Sequence, residues 1–266
     1  MFTLHNGDCL QFIDTLERGS LDAIITDPPY SSGGAYRSDR NQKTEVKYQH
    51  TAETNKVYGT FSGDNRDQRS FEKWCTLWMS ACLNKTREGG VMGCFIDWRN
   101  LSSIIDAMQM GGWVYRGVTP WYKGTDQRPV KGWFRRNIEY IVWGSCGAML
   151  TGHLSEGECL DGMFFHRING TEKFHQTGKP IELMKDIVSV RPHLDTVFDP
   201  FMGSGTTGIA CVELGKNFLG CEISPEYFAI AEKRIKSAVF QPSLFTPSNK
   251  ACTRQGQVAP QFDNFE

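Results

Sequence analysis

A carboxylate, two prolines and an aromatic ring stand in a row at Asp27-Pro28-Pro29-Tyr30, directly after the apolar run Leu21-Asp22-Ala23-Ile24-Ile25-Thr26. The run has the length and β-branched content of a buried strand. Two consecutive prolines stop it and remove two backbone donors, which leaves carbonyls open as acceptors. The strand tip therefore offers acceptors beside a flat stacking surface. That combination suits a planar ligand bearing an exocyclic amino group. Taken alone, the tetrapeptide also reads as a Pro-Pro turn that ends in a buried tyrosine.

A second constellation begins at Asp195-Thr196-Val197-Phe198-Asp199 and continues as Pro200-Phe201-Met202-Gly203-Ser204-Gly205-Thr206-Thr207-Gly208. A strand feeds a glycine-rich turn that opens a helix running through Leu214. Glycines permit close backbone approach, and free N–H groups at a helix N-terminus suit an anionic group. The next strand ends at Glu222, where an acidic residue can accept from ribose hydroxyls. Gly203, Gly205 and Gly208 fit G-x-G-x-x-G, a pattern that would equally admit a nicotinamide cofactor. No Gly-Lys-Ser/Thr follows, so the Walker pattern is missing.

The third feature is basic and aromatic. Between Arg116 and Arg136 lie Lys123, Arg128, Lys131 and Arg135, set against the single acidic Asp126, with Trp121, Tyr122, Trp133 and Phe134 interleaved. Such a segment can grip a phosphate backbone and stack on an unstacked base, or fill its gap. A solvated loop with aromatics packed beneath it is the plainer alternative. Arg37, Arg40, Lys43 and Lys47 add a second basic group within a polar stretch at 31–69. His153, Cys159, His166 and His175 match no zinc spacing, and no metal site is expected from them.

The elements that must position these groups alternate between strand and helix. Phe2 to His5 reads as a strand ending at Asn6-Gly7-Asp8, and Leu10 to Leu16 as a helix. After the Asp27 tip and the polar stretch, a helix is expected from Ser70 to Thr86, with Phe71, Trp74, Leu77, Trp78, Ala81 and Cys82 on one face. Gly89-Gly90 would end it before a buried strand over Val91–Ile96. Leu101 to Met110 reads as helix, Trp113 to Val118 and Ile138 to Trp143 as strands. Residues 145–174 form a variable Gly-rich segment. Further helices follow from Lys179-Pro180 to Val190 and from Glu226 to Ala238, and 241–266 reads as a loosely ordered tail.

At 266 residues and 39% hydrophobic content the chain can bury the core of one large α/β domain, spanning 1–240. No run of membrane-spanning length and no signal peptide is found. Nine cysteines is an odd number, and Cys94, Cys211 and Cys221 lie in apolar runs, so a reducing cytoplasm is the simplest setting. A net charge of −1 gives no general affinity for a polyanion, so any nucleic-acid partner needs a local basic patch.

The two motifs together resemble the amino-methylating DNA methyltransferases that use S-adenosylmethionine. Their order, Asp-Pro-Pro-Tyr first and the Gly-rich element last, is similar to the beta subgroup, a circular permutation of the common fold. The resemblance spans about residues 1–30 and 70–240. The 145–174 segment is short for the family's target-recognition region. His175-Gln176-Thr177-Gly178-Lys179-Pro180 matches the family's His-Pro-Thr-Gln-Lys-Pro pattern in part. It implies a doubly wound, mostly parallel sheet of the Rossmann-like type, and double-stranded DNA as partner, in a restriction-modification setting, with a homodimer left open. Residues 31–69 and 145–174 are the candidate DNA-recognition parts.

What the resemblance implies for residues is specific. Asp27 and the Pro28 carbonyl would each accept one N–H of an adenine N6 amino group, within the tip that Pro29 and Tyr30 complete. Tyr30 would stack on the flipped base. Phe201 would pack on the cofactor's adenine, Glu222 would bind its ribose and Asp8 its amino group. Gly203, Ser204, Gly205 and Thr206 would approach the methionine portion, with Asp27, Lys179 and Asp199 also on the cofactor's side. Asp8 could instead cap the helix after it. Cytosine N4 is the alternative target, although related cytosine enzymes more often carry Ser at the position of Asp27. A nicotinamide oxidoreductase would leave Asp27–Tyr30 idle, and a catalytically silent nucleic-acid binder would not need Asp27 and Tyr30 intact.

Overall fold

The computed structural model describes residues 1–30, 66–124, 131–149, 162–167, 179–190 and 193–240. In chain order the elements are β1 (Phe2–Asn6), α1 (Cys9–Thr15), β2 (Leu21–Thr26), α2 (Gln68–Lys85), β3 (Thr86–Ile96), α3 (Leu101–Met110) and β4 (Val114–Tyr122). They continue as β5 (Ile138–Ser145), β6 (Phe164–Phe165), α4 (Ile181–Ser189), β7 (Thr196–Asp199), α5 (Thr206–Glu213), β8 (Asn217–Glu222) and α6 (Pro225–Phe240). The strands form one eight-stranded sheet in the order β1-β8-β7-β2-β3-β5-β4-β6. From β1 to β3 all pairings are parallel. β5 runs antiparallel to β3 and β4, and β6 is parallel to β4.

Both faces of the sheet are covered, which is why β2 is buried at every position. The period of two sorts β3 cleanly. Met92, Cys94 and Ile96 join Phe12 and Ile13 of α1, Trp78 and Met79 of α2 and Ile104 and Met108 of α3 in one core. Val91 and Phe95 face the other way, to Leu183 and Ile187 of α4, Ile209 and Ala210 of α5 and Ala231 and Ile235 of α6. The crossover from β2 to β3 thus lies on one face and that from β7 to β8 on the other. The connections diverge where β2 meets β7, and the carboxyl ends of the strands at such a switch point are the place where sheets of this kind hold ligands.

The permuted layout is a register, residue by residue. β1 lies against β8 from Phe2↔Phe218 to Asn6↔Glu222, and the Gly7 N–H donates to the Glu222 carbonyl at 3.0 Å. The mostly parallel, doubly wound sheet is the expected one.

Several local expectations change. In α2 the buried residues are Phe71, Cys75, Trp78, Met79 and Cys82, while Leu77 is exposed, so the apolar face is rotated from the one expected. Gly89-Gly90 does not end that helix: β3 begins at Thr86, and Gly89 and Gly90 bond across to Cys146. β4 extends past Val118 to Tyr122, which places Trp121 in the interior rather than in a loop. Within the 145–174 segment, Phe164 and Phe165 add a strand to the edge of the sheet, and the Trp121 indole N–H donates to the His166 carbonyl at 2.9 Å.

Candidate active site

Parallel pairing brings the acidic residues to one edge. Thr26 is level with Cys94, Asp199 with Gly220 and Asn6 with Glu222. Asp27, Asp199, Glu222 and Asp8 therefore stand at or just past the carboxyl ends of β2, β7, β8 and β1, on one edge of the sheet. Asp199 ties the two halves together: it accepts from Thr26 Oγ1 at 2.7 Å, from Thr207 Oγ1 at 2.6 Å and from the Phe201 N–H at 3.1 Å. Burial raises its pKa to about 6, against the pull of those three donors.

Asp27 sits in a network of alternating charge. Its Oδ2 accepts from Lys179 Nζ at 2.6 Å, and Lys179 also lies 3.1 Å from Glu139 Oε2. Lys123 completes the chain at 2.8 Å from Glu139 Oε1. The Lys179 ammonium stands 5.0 Å from the ring centre of Phe95 and 5.8 Å from that of Trp121, so aromatic faces supply part of its surroundings. Part of the Asp27 side chain, 28%, meets solvent. Its Oδ1 is nevertheless buried and has no hydrogen-bond partner. Burial raises the Asp27 pKa, Lys179 opposes that and Glu139 adds to it. For Glu139 burial also pushes up, but Lys179 and Lys123 outweigh it and the pKa falls. Lys179 loses to burial and gains more from its two carboxylates, so it remains a firmly held cation.

The Gly-rich turn forms the second half. Gly205 caps α5 in the left-handed region, φ 82°, with no side chain satisfying the first N–H groups of the helix. Glu222 is fixed by two backbone donors, Gly203 N–H at 3.0 Å on Oε2 and Ser224 N–H at 2.8 Å on Oε1. From behind, Arg234 donates to the Ser204 hydroxyl at 2.9 Å. Phe201 is half-buried against Trp74 and Trp78, ring centres 5.1 and 5.2 Å away. Asp8 does cap α1: Oδ1 accepts from Leu10 N–H at 2.9 Å and Gln11 N–H at 3.3 Å.

Among the residues expected at the site, Asp27, Asp199, Phe201, Gly203, Ser204, Gly205, Thr206, Glu222 and Asp8 line this edge. Pro28 is buried, Pro29 is half-buried, and Tyr30, 8% exposed, packs into the first core. Lys179 turns its ammonium to Asp27 and Glu139. Lys123, expected toward nucleic acid, turns inward to Glu139. Lys131, Arg135 and Arg136 are exposed in the β4–β5 connection, while Arg37, Arg40, Lys43, Lys47 and Arg128 lie outside the described residues. Of the spare aromatics, Trp121 is core, but Trp133 is 62% and Phe134 100% exposed. Ile96↔Tyr140 and Tyr122↔Ile138 place that connection at the same edge as Asp27.

Three residues enter only with the structure. Glu139 had a signal, a charge inside the apolar strand Ile138–Ser145. Trp74 was read only as core. Trp98, exposed at the end of β3, carries Arg99 and Arg136 near its ring, 5.8 and 5.9 Å from its centre. His166 pairs with Asp186 at 2.7 Å, and among the described residues no group of His, Cys, Asp or Glu could hold a metal ion. Nor is any helix among them long and apolar enough to cross a membrane.

Comparison with known proteins adds independent findings. A family model described as DNA methylase matches residues 21–148 and 155–233. The Type II methyltransferase M.HinfI of Haemophilus influenzae is 28% identical over 91% of this chain and 70% of its own length. The crystal structure of an M1.HpyAVI–SAM complex superposes with a TM-score of 0.62 at 24% identity, covering 88% of this chain and 99% of that one. The cytosine-N4-specific PvuII DNA methyltransferase gives a TM-score of 0.62 at 16% identity, covering 91% and 92%.

Proposed function

Given that the chain belongs to the N6/N4 DNA methylase family, we propose that it moves a methyl group from S-adenosylmethionine to the N6 amino group of an adenine swung out of duplex DNA. The observation that carries this reading is Asp27 Oδ1, a buried acceptor without a partner, just past the carboxyl end of β2 where it meets β7. An exocyclic amino group is a weak nucleophile because its lone pair is delocalised into the ring. Oδ1 and the Pro28 carbonyl each accept one N–H, and the nitrogen can then pyramidalise and free its lone pair. Fixed acceptors and positioning supply the rate. The base must leave the stack to reach the tip.

The residues along the edge fit the cofactor. The Glu222 carboxylate is held by two backbone donors at a strand end, with lone pairs left for ribose hydroxyls. Phe201 offers a ring braced by Trp74 and Trp78, and the cap of Asp8 uses Oδ1. The uncapped first turn of α5, after Ser204 and Gly205, presents N–H groups to a carboxylate. When bound, S-adenosylmethionine supplies a methyl group made electrophilic by its sulfonium. Asp27 in place of serine favours adenine over cytosine. Trp98, Trp133, Phe134, Lys131, Arg135 and Arg136 stand at the same edge and form the side presented to DNA.

The test is transfer of labelled methyl to DNA from a methylation-free host, with the modified nucleoside identified by mass spectrometry. N6-methyladenine is the expected product. Asp27→Ala should lower turnover by about 10²-fold or more, whereas Tyr30, packed in the core, is expected to lose stability on replacement by Ala. N4-methylcytosine would move the target, and near-normal turnover in Asp27→Ala would remove the tip from the chemistry.

A further inference from the structure

Asp27 offers two carboxylate oxygens, and only one of them is available. Lys179 Nζ holds Oδ2 at 2.6 Å and leaves Oδ1 buried and unpaired. An ammonium held by a single carboxylate could move between its two oxygens. From a second side Lys179 is ion-paired with Glu139 Oε2 at 3.1 Å, over the faces of Phe95 and Trp121. Glu139 is fixed in turn by Lys123 at Oε1, 2.8 Å away. Backbone geometry locks the far end of this chain, since the Lys123 N–H donates to the Asn137 carbonyl at 2.9 Å, two residues before Glu139.

We propose, building on the methyl-transfer reading above, that Glu139 is a positioning residue: with Lys123 behind it, it fixes Lys179 on Asp27 Oδ2, so that Oδ1 is the acceptor left to orient the target's amino group. Two ammonium groups and two carboxylates balance, so the network can be buried without a net charge. The amino group then meets a lone acceptor in a defined direction rather than a carboxylate shared at random. This gives Lys179 a place in the chemistry of Asp27 rather than in holding the cofactor.

The two ends of the network act on Asp27 with opposite sign. Glu139 raises its pKa and Lys123 lowers it, alongside Lys179 from the start of α4, while Asp199 on β7 and Cys94 on β3 also face it. Single-turnover methyl transfer at saturating cofactor, followed against pH, therefore separates positioning from simple loss of structure. In Glu139→Gln the plateau rate should fall about tenfold or more, as expected when a reacting group loses its fixed geometry, and the acidic limb should move to lower pH. In Lys123→Met the rate should fall less and the acidic limb should move to higher pH. Calorimetry with S-adenosylhomocysteine should give the native affinity in both, and circular dichroism the native fold. An unchanged plateau and limb in Glu139→Gln, limbs that move together in the two variants, or a loss confined to S-adenosylhomocysteine affinity would overturn the proposal. If the unaltered protein transfers no methyl to DNA, the function fails instead, and the two failures are told apart by that arm.

Discussion

Asp199 shows how much one side chain is asked to do at this edge. It holds Thr26 beside the Asp27–Tyr30 tip and both Thr207 and Phe201 in the Gly-rich turn, from a position 3% exposed. Three donors would lower the pKa of an exposed carboxylate, but burial dominates and raises it to about 6. The folded protein therefore binds this proton more tightly than the unfolded chain does. Stability from Asp199 is full below the unfolded value of 3.8 and is lost as pH rises through about 6. The difference in unfolding free energy between the protein and Asp199→Asn should shrink over that window by up to about 3 kcal/mol, at 1.36 kcal/mol per pKa unit. Urea unfolding at several pH values measures it, and a constant difference would show that Asp199 ionises as easily folded as unfolded. Asp27, Asp199 and Glu222 could be singled out in the sequence because each closes a short apolar strand, the first two directly before Pro. Glu139 could not be assigned its role. Its partner Lys179 belongs to another element, and Lys179 in turn meets Asp27 across 152 positions of chain. Only the sheet order brings them together.

Among the elements, α5 depends most on one position. Gly205 has φ 82°, and a Cβ there would lie 3.0 Å from Ala231 Cβ of α6. A side chain must then adopt the left-handed region and push α6 back, so Gly205→Val should lower stability by roughly 1–3 kcal/mol. It should also weaken S-adenosylmethionine binding in calorimetry. Native affinity and stability together would mean that the turn tolerates a different shape. Apart from β6, strand and helix existence was legible across the described residues, whereas faces and ends were less so. β4 was expected to stop at Val118, short of Pro120, which cannot donate to a ladder. It continues because the edge it gives up is joined only by the two-residue β6, and Pro120 still lies level with Tyr140 of β5. Leu77 fits the helical period of α2 yet points out, since the packing against α1 and α3 is made by Cys75 and Met79 instead.

The molecule as a whole carries a charge of −1 and belongs to a family that acts on a polyanion. Binding must then come from where the charges are placed. Lys131, Arg135 and Arg136 are exposed in one connection at the edge that carries Asp27, beside Trp133 and Phe134. If they neutralise phosphates, log affinity falls with log salt by about 0.9 for each contact. Neutralising Arg135 and Arg136 together should weaken binding to all DNA sequences and make that slope shallower by about one to two units. An unaltered slope in a fluorescence titration would put the DNA on another face. The pairing of β1 with β8 has a further consequence, in the order of events during synthesis. Residues 2–6 leave the ribosome more than 200 residues before residues 218–222, their neighbours in the sheet. The edge that carries Asp8, Asp199 and Glu222 cannot close until Glu222 has emerged. Such distant pairing slows folding and leaves strand edges open meanwhile. A nascent chain therefore lacks that edge until β8 can pair with β1.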